Sequence, residues 1–260
     1  MIAFLSDWGY DSYYVGVAKA AIREVNKETE ILDICHNIKS FSVRQAAYVI
    51  ERVVKDLPID TVFLAVVDPG VGTARKPIAM TLKNGMRMVG PDNGIFTFAA
   101  ENFGVHEIRE LENREYHRGT SMSFHGRDIF APVAAHIAGG LEVEKLGPRL
   151  MNFEYLRYRK PAATGNMITG EVAFYDHFGN LETNIPSSLG NIFEEGDLVE
   201  ISRNRKPLKA TFGKTYYDVN PGHILAHFDS SGFLEITVNK GSARETVGIE
   251  EGESITVVKV

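Results

Sequence analysis

Phe63-Leu64-Ala65-Val66-Val67-Asp68-Pro69-Gly70-Val71-Gly72-Thr73-Ala74-Arg75 is the stretch that decides the fold. Its unbroken apolar start reads as a buried strand. The run stops abruptly in a glycine-rich turn. Asp68 is thereby presented at the strand's end and Arg75 follows it closely in sequence. A short turn leading back can hold this carboxylate and guanidinium around one small molecule. Two other strand ends in the same half carry polar clusters, Ser6-Asp7-Trp8-Gly9-Tyr10-Asp11-Ser12 and Asp33-Ile34-Cys35-His36-Asn37.

Outward from that stretch, strands and helices alternate. Residues 2–5, 30–35 and 61–67 read as strands. Residues 15–25 and 42–55 read as amphipathic helices, the second capped by Ser42. A hairpin is expected at 77–82 and 86–90 around Asn84-Gly85, and a helix at 130–138 after Asp128. Such alternation predicts a largely parallel sheet flanked by helices, with ligands bound beyond the carboxyl ends of its strands. Asp7, His36 and Asp68 all fall at those ends.

Composition shifts near residue 150. Residues 1–150 form the α/β domain, 151–164 read as a linker, and 165–260 show short strands at 170–175, 197–202, 223–229, 232–239 and 254–260. A smaller all-β, barrel-like domain is expected there.

The chain has 260 residues, 44% of them hydrophobic and 24% charged, enough for a sizeable core under an ordinary surface. A net charge of −6 without a basic run argues against nucleic acid as a partner. Cys35 is the only cysteine, which excludes an intrachain disulfide and fits a reducing compartment. The apolar run before Asp7 is too short and uncharged for a signal peptide, and no window reaches the length of a membrane span. A cytoplasmic location away from the membrane is expected.

Each polar cluster also has a purely structural reading. Asp11 or Ser12 can cap the first helix, while Asp7 is free to accept hydrogen bonds from ribose hydroxyls. In Gly90-Pro91-Asp92-Asn93-Gly94, Asp92 or Asn93 can cap the segment after it. In Ser123-Phe124-His125-Gly126-Arg127-Asp128, Asp128 opens a helix, and Gly126 leaves room for something close to the backbone beside His125. In Tyr175-Asp176-His177-Phe178-Gly179-Asn180, Phe178 can stack on a base and Asn180 can pair with one.

Taken in order, these stretches closely resemble the S-adenosyl-L-methionine hydrolases (adenosine-forming), the SAM hydroxide adenosyltransferases related to fluorinase and chlorinase. The resemblance runs from Ser6-Asp7 through Val67-Asp68-Pro69-Gly70-Val71-Gly72, Pro91-Asp92-Asn93-Gly94, Phe124-His125-Gly126-Arg127-Asp128 and Phe178-Gly179-Asn180 to Ser230-Ser231-Gly232. It implies a homotrimer, each site lying between the N-terminal domain of one subunit and the C-terminal domain of its neighbour. It also implies that Asp68, Arg75 and His125 handle the water, Asp7 holds the ribose, and Phe41 stands beside it. Asp176 would meet the methionine amino group, Phe178 and Asn180 the adenine, Ser230 the methionine carboxylate, and the Val238 backbone the adenine edge. Halogenases of this kind carry Tyr in place of Asp68. Fluorinase has Ser in place of Gly126 and Arg in place of Ser231, whereas chlorinase shares the glycine. Asp68 with Arg75 therefore points to water as the nucleophile.

The implied reaction is attack of water on the ribose C5′ carbon of S-adenosyl-L-methionine, giving adenosine and methionine. The leaving group is a neutral thioether, so no general acid, metal or cofactor is required. Water is a poor nucleophile, with a bulk pKa of about 15.7. Arg75 can stabilise developing hydroxide character. Asp68 or His125 can receive the proton; His125 is better matched to neutral pH, while a carboxylate beside Arg is a weakened base and suits an orienting role. Orientation alone can contribute roughly 7–11 kcal/mol. Three other functions fit parts of the pattern: a metal-dependent phosphoesterase using Asp7, Asp11, Asp68, Asp92 and His125, a halogenase, and a non-catalytic adenosine or S-adenosyl-L-methionine binding protein.

Overall fold

The computed structural model describes residues 1–119, 121–202 and 207–260. The chain divides into two units, Met1–Leu156 and Arg157–Val260.

In the first unit, β1 (Ile2–Ser6) lies parallel between β2 (Ile31–Cys35) and β3 (Val62–Val66). Strand β3 runs parallel to β5 (Arg87–Pro91), and β4 (Pro77–Leu82) is antiparallel to both β5 and β6 (Val105–Glu110). The order is β2-β1-β3-β5-β4-β6, a largely parallel sheet. Successive side chains in a strand point to opposite faces. Ile2, Phe4, Leu64 and Val66 accordingly join one core with α1 (Tyr13–Val25) and α4 (Ala131–Ala138). Ala3, Leu5, Phe63 and Ala65 join a second core with α2 (Val43–Val53) and α3 (Thr97–Phe103). Covering on both faces is why the β1 and β3 sequences are continuously apolar.

Ser12 caps α1 by accepting from the Tyr14 N–H, and Ser42 caps α2 by accepting from the Gln45 N–H. Neither Asp92 nor Asn93 caps α3, whose first turn has no side-chain cap. Asn93 instead donates to the Val67 carbonyl at 2.9 Å and accepts from the Ile95 N–H, while Asp92 accepts from the Glu154 N–H at 2.8 Å. Helix α4 starts at Ala131, because a π-turn over Gly126–Phe130 precedes it. Strand β6 was not expected: Val-His-Glu-Ile-Arg-Glu mixes polar and apolar residues as an edge strand does.

The second unit contains β7 (Ala162–Thr164), β8 (Met167–Tyr175), β9 (Leu181–Pro186), β10 (Leu198–Ser202), β11 (Leu208–Phe212), β12 (Ile224–Phe228), β13 (Phe233–Val238) and β14 (Ser254–Lys259). Pairing of β14 with β8 closes the order β14-β10-β11-β12-β13-β9-β8 into a seven-stranded barrel. Its interior is apolar, with Ile168, Val172, Ile201, Leu234, Ile236 and Val257 all buried. Strand β7 pairs with β8, so part of the stretch expected as linker is strand. A five-residue helix, α5 (Ala243–Val247), follows β13. Among the described residues no helix is long and apolar enough to cross a membrane.

The close approach of β5 to β3 depends on Gly90. A Cβ there would stand 2.3 Å from the Ala65 carbonyl oxygen and 2.9 Å from the Phe96 ring. Gly90→Ala is expected to cost about 1–3 kcal/mol of stability. An unchanged denaturation midpoint would contradict this packing.

Candidate active site

Strands β1 and β3 are in register with Ser6 level with Val66, so Asp7 and Asp68 leave the sheet at the same edge. The β3–β4 loop then returns Arg75 to Asp68. The loop is held by Thr73, whose N–H and hydroxyl both donate to the Gly70 carbonyl. Gly72 sits at φ 78°, where a Cβ would come within 2.8 Å of the Met122 carbonyl oxygen.

Arg75 and Asp68 form a two-point ion pair: Nε donates to Oδ1 at 3.1 Å and Nη2 donates to Oδ2. Both side chains are buried, at 6% and 7% exposure. The guanidinium lies over the Phe130 ring, 5.3 Å from its centre. Nη2 also reaches His125 Nδ1 at 3.1 Å. Nη1 is buried and meets no acceptor among the described residues. Arginine can only donate, so His125 Nδ1 is the acceptor and the neutral ring carries its proton on Nε2. Burial, and then the Arg75 charge, push the His125 imidazole below its ordinary range, which keeps it neutral at pH 7.

Asp68 and His125 border a cavity of about 250 Å³, walled also by Asp7, Trp8, Tyr14 and Phe124 among others. Burial raises the Asp7 carboxyl above its usual range, against the lowering effect of the Phe41 N–H, which donates to it at 2.8 Å. Phe41 holds φ at 68°, an unfavourable backbone for a phenylalanine, and the residue is 71% exposed. The Asp7 carboxylate and the Val43 N–H, which donates to the Phe41 carbonyl at 3.0 Å, both hold this residue at the cavity wall.

Sequence reasoning expected Gly126 to leave room beside His125. The room is filled by Trp8, since a Cβ on Gly126 would stand 2.5 Å from the indole. Trp8, Tyr14 and Phe124 carried no sequence expectation as cavity residues, although they pack edge-on against one another. Adjacency to Asp7 was the only signal for Trp8; its pairing with Gly126 is a tertiary fact. His36 stands apart from the cavity: it is fully buried, bonded to Ser6 Oγ at 2.7 Å and Asp33 Oδ1 at 3.2 Å, and reads as structural. Among the described residues, no three or more His, Cys, Asp or Glu side chains are grouped so as to hold a metal ion. Asp68 is engaged by Arg75, and Asp92 by the Glu154 backbone.

In the second unit, a cavity of about 610 Å³ brings together Phe178, Asn180 and Val238, with Tyr216 and Thr237 as further walls. Phe178 is 77% exposed and Asn180 is buried. Asp176 adjoins them, accepting from the Phe178 and Asn180 backbone N–H groups at 2.9 and 2.8 Å. Ser230 is not gathered with them. It lies in the β12–β13 turn, whereas Val238 is at the opposite end of that hairpin, level with Ile224.

Residues 2–147 match the N-terminal domain of the SAM hydroxide adenosyltransferases, and residues 170–256 match their C-terminal domain. The chain is 38% identical over 265 residues to (R)-S-adenosyl-L-methionine hydrolase of Thermus thermophilus, with 99% of each chain covered. It is 26% identical over 294 residues to a fluorinase of Actinopolyspora mzabensis, covering 100% of this chain and 97% of that one. Among solved structures, it is similar to an uncharacterised conserved protein from Thermotoga maritima, with a TM-score of 0.95, 49% identity and complete coverage of both chains.

Trp8 is the sole tryptophan, so fluorescence excited selectively at tryptophan, to the red of tyrosine absorption, reports on this cavity. Gly126→Ala is expected to displace the indole, shift its emission and cost about 1–3 kcal/mol. A spectrum and stability identical to those of the unaltered protein would show that the indole does not need the glycine.

Proposed function

This chain belongs to the SAM hydroxide adenosyltransferase family, and on that premise we propose that it hydrolyses S-adenosyl-L-methionine to adenosine and L-methionine. The observation that carries the reading is the buried Asp68–Arg75 pair with His125 on the same guanidinium, at the wall of a cavity that also holds Asp7. Asp68 and Arg75 are the combination that favours water over halide.

Water attacks C5′ of the ribose. The C5′–O bond forms while the C5′–S bond breaks, and sulfur keeps the electron pair as a neutral thioether. No acid, metal or cofactor is needed for that departure. The alcohol first formed is an oxonium, far more acidic than any carboxylic acid, so even a weak base suffices for its proton. His125 Nδ1 is occupied by Arg75, and a second ring proton would set two cations side by side. Asp68 therefore takes the proton, and His125 orients the water through its Nε2–H. This reverses the sequence-based preference for His125 as acceptor. Arg75 holds both groups in place around the attacking water, donating to Asp68 and to His125 Nδ1.

Asp7 holds the ribose hydroxyls with Phe41 beside them. Phe178 and Asn180 take the adenine, the Val238 backbone its edge, Asp176 the methionine amino group and Ser230 the carboxylate. The reading extends to a homotrimer in the cytoplasm, with sites completed between subunits. Phe41 and Phe178 are exposed at the walls of the two cavities, where a ligand and a neighbouring subunit would cover them.

The direct test is chromatography of EDTA-treated protein incubated with S-adenosyl-L-methionine, with and without chloride. Adenosine and methionine are expected in halide-free buffer. A chlorinated nucleoside formed only with chloride would assign a halogenase, and retention of substrate without turnover would assign a binding protein. His125→Ala and Arg75→Lys are expected to lower kcat by about 10²-fold or more with substrate affinity within a few fold. Rates like the unaltered enzyme in both would remove these residues from the mechanism. Sedimentation is expected to give a trimer; a fully active monomer would contradict the shared site.

A further inference from the structure

Asn180 is held on the wall of the second unit's cavity by a buried polar network. Its Nδ2 donates to Asp176 Oδ2 at 2.9 Å and to the Tyr216 hydroxyl at 3.4 Å. Its Oδ1 accepts from Thr237 Oγ1 at 2.7 Å. Which end of an amide faces which partner must be settled by chemistry, since the two ends have the same shape. Thr237 settles nothing, because a hydroxyl can donate or accept. Asp176 settles it, because a carboxylate only accepts and so takes the NH2 end.

Asp176 is itself fixed in place by the backbone N–H groups of Phe178 and Asn180. Behind Tyr216, Glu235 Oε1 accepts from His227 Nε2 at 2.9 Å and from the Tyr216 hydroxyl at 3.4 Å. Glu235 and His227 are both buried. Tyr216 thus spends its proton on Glu235, and its oxygen meets Asn180 Nδ2 and the neighbouring Thr237 hydroxyl. Burial, and then the Glu235 charge, push the Tyr216 hydroxyl up, so it stays protonated. Both Asn180 N–H protons are then engaged. The hydrogen-bonding capacity left on the amide is one lone pair of Oδ1.

Resting on the reading of this cavity as the purine site, we infer that Asp176 is a positioning residue that fixes Asn180 as an acceptor, so that the cavity selects a 6-aminopurine over a 6-oxopurine. A 6-amino group supplies the N–H that Oδ1 lacks. A 6-oxo group sets two acceptors against each other and leaves both unpaired. Asp176 thereby sets base selectivity in addition to any contact with the methionine amino group.

The test compares kcat/KM for S-adenosyl-L-methionine and for its analogue with hypoxanthine in place of adenine. The unaltered enzyme is expected to prefer the amino compound by about tenfold or more. In Asp176→Asn, the new carbonyl still accepts the two backbone N–H groups, but an NH2 now faces Asn180. The Asn180 amide turns over, offers N–H to the ligand, and the preference falls toward parity even as both KM values rise. Equal use of both substrates by the unaltered enzyme, or an undiminished preference in Asp176→Asn, would overturn the positioning role. Phe178→Ala separates the two readings, because stacking is indifferent to the 6-substituent and its loss should raise both KM values together. An unchanged KM in that variant would overturn the purine site itself, whatever Asp176 does.

Discussion

The first unit's ligand edge depends on burying one guanidinium. Arg75 is almost wholly removed from water, and a buried charge persists only where it is paired and hydrogen-bonded. Its hydrogen-bonding partners come from two segments: Asp68, just after β3 in the loop that also carries Arg75, and His125 at the turn into α4. The pair is therefore a structural clamp as well as a chemical group. Removing one member of such a buried pair costs about 3–5 kcal/mol, because the other is left uncompensated. Because arginine only donates, the same clamp dictates the His125 tautomer, and with it which group is free to receive a proton.

The two units share a device. In each, a carboxylate catches the backbone N–H of an exposed phenylalanine: Asp7 holds Phe41 at 2.8 Å, and Asp176 holds Phe178 at 2.9 Å. The ring is thereby set at the mouth of a cavity without being packed into its own unit. In the first unit the hold also maintains a backbone that phenylalanine does not favour, with φ at 68°. Strain and exposure of this kind are retained where a ligand or a second chain gains from them.

Much of the fold was legible because its signals are local. The continuous apolar runs at β1 and β3, the helical spacing in α1 and α2, and Asn84-Gly85 between β4 and β5 each describe a few consecutive residues. Strands β6 and β7 were missed for the same reason. β6 is an edge strand of mixed polarity, and β7 is three exposed residues paired, among the described residues, with β8 alone. The caps divided similarly. Ser12 and Ser42 act on amides two or three residues away, whereas Asp92 and Asn93 look like caps and serve distant backbone at Glu154 and Val67.

From its sequence alone this chain determined an α/β unit followed by an all-β unit, the edge at which polar residues collect, and a set of motifs whose order is shared with one enzyme family. Tertiary structure alone decided how those residues meet. It placed Arg75 between Asp68 and His125, put the Trp8 ring where Gly126 had seemed to leave space, and left Ser230 at the far end of the hairpin from Val238. The reason is physical. Periodicity and turn chemistry act over a few residues and can be read along the chain, whereas a buried ion pair, an amide's orientation or a ring against a glycine is fixed by strand register and by which lone pairs the neighbours leave unsatisfied.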